Sequence, residues 1–121
     1  MSKLNSEICF IVPCYNEENN INYTLDEINK VIKKLNVKYY EIIVVDDGSI
    51  DNTYLKVKKT NFLKKFKLKR NLGIGGAYKY GLGKSNSKYV IMIPGDNSHP
   101  ASSIQPILEI MGKKILLFLL H

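Results

Sequence analysis

Apolar positions follow two alternating rhythms along this chain. Short, nearly uninterrupted runs at Ile8 to Val12 (ICFIV), Glu41 to Val45 (EIIVV) and Tyr89 to Ile93 (YVIMI) read as strands buried on both faces, as in parallel α/β sheets. Between the first two, apolar residues recur at Ile21, Leu25, Ile28, Ile32 and Leu35, and spacings of four and three describe one helical face. Pro13 is expected to end the first strand, because it brings no ladder donor. The second strand stops on Asp46-Asp47-Gly48-Ser49. Gly48 permits a tight turn with positive φ, and Ser49 or Asp51 can cap a helix running from Asn52 to Lys59. A weak third strand is expected around Phe66 to Leu68. Asn71 to Ala77 (NLGIGGA) then enters a helix ending near Gly83. Pro100 opens a final helix with the stripe Ile104, Ile107 or Leu108, and Met111, and one more strand is expected near Ile115. This alternation predicts an α/β fold: doubly wound, mostly parallel, with right-handed crossovers and helices on both faces.

Composition narrows the class. A chain of 121 residues holds one domain and one core, and 45% hydrophobic with 24% charged residues is an ordinary globular balance. The formal net charge of +7 has a local cause, since Lys56, Lys58, Lys59, Lys64, Lys65, Lys67, Lys69 and Arg70 share one segment. Such a patch favours polyanions: diphosphates, nucleic acid or an anionic membrane surface. Without a nucleic-acid motif or interleaved aromatics, a solvated lysine-rich face is the favoured reading and no nucleic-acid partner is expected. Cys9 and Cys14 form no CxxC pair, so neither a disulfide framework nor a zinc site is expected, and a reducing cytosol is the natural compartment. The start, MSKLNSE, lacks the apolar core of a signal peptide. Ile115 to Leu120 is too short to span a bilayer, and an end on such a run leaves apolar surface to cover. The chain is therefore expected to be truncated. No internal repeat is visible.

Candidate chemistry gathers at three strand ends: Tyr15-Asn16-Glu17, Asp46-Asp47 and Gly95-Asp96-Asn97. In a parallel sheet these ends lie on one edge and can converge on one ligand. The acids suit a nucleobase or ribose, and Asp96 suits a divalent cation such as magnesium or manganese. The competing reading of Asp46 and Asp47 is an Asx-turn with a cap. Tyr15 either stacks on a base or packs as a core or interface tyrosine. Gly73-Ile74-Gly75 begins like a dinucleotide fingerprint, but its third glycine is Tyr78. Gly83-Lys84-Ser85 ends like a P-loop, but its earlier glycine is again Tyr78 and it closes a helix instead of opening one. Both are set aside. Gly73, Gly75 and Gly76 allow a close chain approach at a helix amino terminus near phosphates, or form a purely structural turn. His99, before Pro100, reads as loop packing more readily than as a metal ligand or proton carrier. His99 and His121 are the only histidines, so no nucleophile triad is suggested.

Ile11-Val12-Pro13-Cys14-Tyr15-Asn16-Glu17-Glu18, then Val44 to Thr53 (VVDDGSIDNT), then Asn71-Leu72-Gly73 with Gly76-Ala77, resemble in order and spacing the family-two glycosyltransferases of the GT-A fold. The resemblance runs over about residues 7 to 111. Asp96-Asn97-Ser98-His99-Pro100 is similar to the metal-site segment of dolichyl-phosphate and polyprenyl-phosphate sugar synthases. It implies inverting transfer of a sugar from a nucleotide-diphosphate donor to a polyprenyl or dolichyl phosphate, a glycan or another acceptor. By position it gives Pro13, Tyr15, Glu17 and Asp47 to the nucleotide, with Asp46 supporting them. Gly95, Asp96 and Asn97 would lie near the diphosphate, with Asp96 holding Mg2+ or Mn2+. Residues 1 to 121 would be a single domain, the donor-binding half only, cytoplasmic or at the cytoplasmic face of a membrane. Two departures stand out. Pro94 occupies the first position of the acid-x-acid metal motif, and the acceptor half with its catalytic base would follow Ile115. The rival expectation is a nucleotide-binding or regulatory module that performs no transfer.

Overall fold

Side chains of successive strand residues point to opposite faces, so each apolar run supplies two cores at once. Phe10, Val12, Ile42 and Val44 belong to one buried cluster, while Cys9, Ile11, Ile43 and Val45 belong to the other. The computed structural model describes residues 7–96 and Pro106. Its elements are β1 (Ile8–Cys14), α1 (Ile21–Lys34), β2 (Tyr40–Asp46), α2 (Thr53–Lys56), β3 (Leu63–Lys67), α3 (Gly73–Lys84) and β4 (Tyr89–Met92). The strands form one parallel sheet in the order β3-β2-β1-β4.

That order makes the sheet doubly wound. The chain steps outward from β1 through β2 to β3, then returns to pair β4 on the far side of β1. Right-handed crossovers in opposite directions must use opposite faces. Accordingly, α1 buries Ile21, Thr24, Leu25, Ile28, Val31 and Ile32 on the first face, and Ala77 of α3 joins the cluster on the second. The crevice of such a sheet lies where the winding reverses, beyond the carboxyl ends of β1 and β4.

Several boundaries differ from the expectation, each for a local reason. Pro13 does not end β1, which runs in register with β2 as far as Cys14 opposite Asp46. The ladder to β4 has already ended at the Ile11–Met92 pair, so the missing N–H interrupts no ladder pair there, and the Pro13 carbonyl still accepts from Gly95 N at 2.9 Å. The helix expected from Asn52 to Lys59 is a single turn, because Val57 turns extended (φ -82°, ψ 122°) and is buried. β3 lies earlier than Phe66 to Leu68. Only Leu63 within it is buried, as befits an edge strand lined with lysines. The α3 helix ends at Lys84, one residue past Gly83. Asn97, His99, the helix expected after Pro100 and the strand expected near Ile115 lie outside the described residues. Among the described residues, no helix is long and apolar enough to cross a membrane.

Candidate functional site

A pocket of about 250 Å³ opens at the carboxyl edge of the sheet, where the winding reverses. Pro13, Cys14, Tyr15 and Glu17 line it from the end of β1, and Asp47 from β2. Asn71, Gly73 and Ile74 come from the β3–α3 turn, and Pro94, Gly95 and Asp96 from beyond β4. Of the residues singled out from the sequence, Pro13, Tyr15, Glu17, Asp47, Gly95 and Asp96 thus share one cavity. Asp46 does not line it. Its carboxylate is fully buried beneath the turn, with Oδ1 accepting from Ser49 N at 2.9 Å and Oδ2 making no hydrogen bond.

Asp47 connects three elements. Its backbone N–H donates to the Cys14 carbonyl at 2.8 Å, which fixes the end of β2 against β1. Its Oδ1 accepts from Leu72 N at 2.7 Å, which draws the glycine-rich entry of α3 over the pocket. The approach depends on Gly48, at φ +78°. A Cβ there would lie 2.8 Å from the Arg70 carbonyl carbon and 2.9 Å from Asn71 N.

Sequence reasoning missed the clasp that shapes the β1 loop. Asn16 N donates to Ser49 Oγ at 2.8 Å, Glu17 N to Thr53 Oγ1 at 2.8 Å, and Glu18 N to Asp51 Oδ2 at 3.3 Å. Ile50 N returns a bond to Asn16 Oδ1 at 3.0 Å, and Asn16 itself takes φ 54°. The Thr53 hydroxyl in turn donates to Asp51 Oδ1, which also accepts from Thr53 N at 3.0 Å. Ser49 and Asp51 therefore hold a neighbouring loop, and Asp51 also serves the first N–H of α2, while Asn52, the residue before α2, makes no side-chain cap bond. Burial works against ionising Asp51, but the bonds from the Thr53 hydroxyl, Thr53 N and Glu18 N outweigh it and hold its carboxyl below the usual range. The signal was present in the polar spacing of Ser49, Asp51 and Thr53, but a cap accounts for that spacing equally well.

Cys14 brings no nucleophile to the pocket. Burial, then the Asp46 and Glu17 carboxylates, push its thiol far above the ordinary range, and its Sγ faces the Val45 carbonyl. Burial likewise pushes Cys9 up to about 12. Both cysteines are free and stay protonated at neutral pH. Among the described residues, no three His, Cys, Asp or Glu side chains converge as a metal-binding group. The acids at the pocket, Glu17, Asp47 and Asp96, are spread over its walls.

An open parallel sheet with an acid-lined crevice at its winding reversal defines a ligand-binding α/β domain of the doubly wound class. The chain belongs to glycosyl transferase family 2, whose profile matches residues 9–116. It is 34% identical over 119 residues to a dolichyl-phosphate beta-glucosyltransferase of Dictyostelium discoideum, covering 90% of this chain and 36% of that one. The same activity names a Saccharomyces cerevisiae relative, 30% identical over 112 residues, with 85% of this chain and 34% of that one covered. Among solved structures, S. aureus TarS in complex with UDP superposes with a TM-score of 0.63 at 28% identity, over 74% of this chain and 27% of that one. A mannosyltransferase from Pyrobaculum calidifontis in complex with GDP-Man and Mn2+ shares the fold, with a TM-score of 0.62 at 23% identity over 77% of this chain and 28% of that one. The chain spans about a third of the length of the relatives it matches.

Proposed function

We propose that these residues are the donor-binding half of a glycosyltransferase that takes a nucleoside-diphosphate sugar and passes the sugar to a lipid-phosphate or glycan acceptor. The observation that carries this reading is the convergence of Tyr15, Glu17, Asp47 and Asp96 on one cavity from three strand ends. Tyr15 is 45% exposed at the rim, placed to cover a base with its ring. Asp47, held by the Leu72 bond, accepts from base or ribose donors, and Glu17 lines the same cavity. Asp96, which lines the same cavity from beyond β4, is assigned to the diphosphate. The relatives' dolichyl-phosphate activity and the UDP held by TarS support this assignment. Two free, protonated thiols suit a reducing compartment, at the cytoplasmic face of a membrane if the acceptor is lipid-linked.

The test is calorimetric titration of the chain with UDP and GDP. Asp47→Asn keeps an acceptor for Leu72 N but loses the charge. It is expected to weaken binding by about 1.5–3 kcal/mol, the worth of hydrogen bonds to a charged group. Equal affinity for variant and parent would remove Asp47 from the nucleotide site.

The donor set also limits the metal. With Pro94 two positions before Asp96, the described residues fit Mg2+ or Mn2+ only in company with diphosphate oxygens. Such a cation, when bound, supplies Lewis-acid stabilisation of the leaving diphosphate. Mn2+ alone is expected to show no measurable binding, yet to raise the affinity for UDP. Tight Mn2+ binding by the nucleotide-free protein, abolished in Asp96→Ala, would show that other ligands complete the site.

A further inference from the structure

All eleven acids of the chain lie outside residues 52–95, which hold eleven of its eighteen lysines and arginines. The fold gathers part of this imbalance around a groove of about 670 Å³ between α1 and the α2–β3 connection. It shares no residue with the strand-end pocket. Its apolar side is Leu25, Ile42 and Leu63; Lys33, Lys56 and Lys58 stand along it, with Asp26 as its acid. Phe62, which also lines it, is 50% exposed, and Leu55, next to Lys56 in the chain, is 75% exposed. Lys59 before the edge strand and Lys67 at its end extend the basic surface, and Lys69 and Arg70 continue it towards Asn71 and Gly73 at the pocket.

We infer that this face docks on an anionic lipid bilayer, with headgroup phosphates against the lysines and with Leu55 and Phe62 entering the acyl boundary. Two features favour lipid over nucleic acid. Lysines near a surface of anionic lipid each add to binding, and exposed apolar side chains among them add what a polynucleotide cannot use. A single-strand binder offers free aromatic faces, whereas the Phe62 ring is stacked on Tyr40 at 4.9 Å between centroids. The inference rests on the proposed function only in that a lipid-linked acceptor would bring the pocket to a membrane. The edge strand would then lie against the bilayer, with the basic run leading from lipid to pocket.

The experiment is co-sedimentation of the full chain with phosphatidylcholine vesicles, with and without phosphatidylglycerol, across a salt series. Binding to the anionic vesicles alone, weakening with salt, is expected. Lys58→Glu combined with Lys59→Glu should lower it by about tenfold or more. Phe62→Ala should lower the binding that survives high salt. The charge-reversed variant should keep its UDP affinity, so failure of this surface is separable from failure of the donor pocket. Equal binding to neutral vesicles, no binding to either, or no effect of the charge reversal would overturn the assignment. So would capture of a DNA duplex through the same lysines with vesicles left unbound.

Discussion

Gly48→Ala is expected to cost about 2–5 kcal/mol of unfolding free energy, against about 1–2 kcal/mol for Gly73→Ala. Both glycines have a positive φ, +78° and +83°, so both substitutions pay the left-handed cost of an L residue. They differ in what the new Cβ meets. At Gly48 it would stand 2.8 Å from the Arg70 carbonyl carbon, a backbone atom that cannot swing aside, while at Gly73 nothing lies within 4 Å. The difference between the variants therefore isolates the crossing of the two loops from the backbone angle they share. Urea unfolding of both measures it. Equal losses would mean that the Arg70–Asn71 segment yields easily and that the Leu72–Asp47 bond is not held by a tight crossing.

Gly95→Ala is expected to cost about 1–3 kcal/mol of stability and to weaken nucleotide binding at the same time. Here the backbone angle is ordinary, and the obstacle is packing. A Cβ would meet Cys14 Cβ at 2.8 Å, Ile21 Cδ1 at 2.9 Å and the Pro13 carbonyl oxygen at 3.3 Å. The Ile21 methyl can turn away, but Cys14 Cβ and the Pro13 carbonyl belong to the wall of the pocket. Relief must come from moving the segment after β4, which carries Asp96, away from β1. Gly83→Ala is the control, because its Cβ enters open space on α3 and should stabilise the helix by roughly 0.5–1 kcal/mol. Denaturant unfolding and UDP titration of both variants make the comparison. A Gly95→Ala protein with parental stability and affinity would show that the seam between β1 and β4 is looser than its contacts imply.

The doubly wound fold was legible because its signal is carried by burial on both faces of central strands. ICFIV and EIIVV leave no polar alternation that would put one face in water, and the stripe from Ile21 to Ile32 can only cover such a sheet. β3 was misplaced because an edge strand needs a single buried position, and LKKFK reads as a charged loop with one aromatic. The α2 helix was overextended because periodicity cannot tell whether Val57 is better buried by another helical turn or by an extended exit. At the site, the converging acids were visible as strand ends. The separate fates of two adjacent ones were not: register places Asp46 opposite Cys14 under the turn, and the next residue faces the cavity. The clasp could not be read either, since its donors are backbone N–H groups more than thirty residues from their acceptors.

That clasp divides labour between two stretches of chain. Three main-chain donors of the loop from Asn16 to Glu18 meet acceptors at Ser49, Asp51 and Thr53, and the Asn16 side chain adds one bond accepted from Ile50 N. A main-chain donor is present whatever side chain follows it, proline excepted. The identities of Tyr15 and Glu18 are therefore unburdened by the task of shaping the loop that presents them, whereas Glu17 Oε1 also accepts from Asn20 Nδ2 at 3.0 Å at the entry to α1. Tyr15, which lines the pocket, can be exchanged for other residues while the scaffold beneath stays put. One stretch of chain thus keeps the form of the loop, and the other is left open to evolve a taste for different ligands.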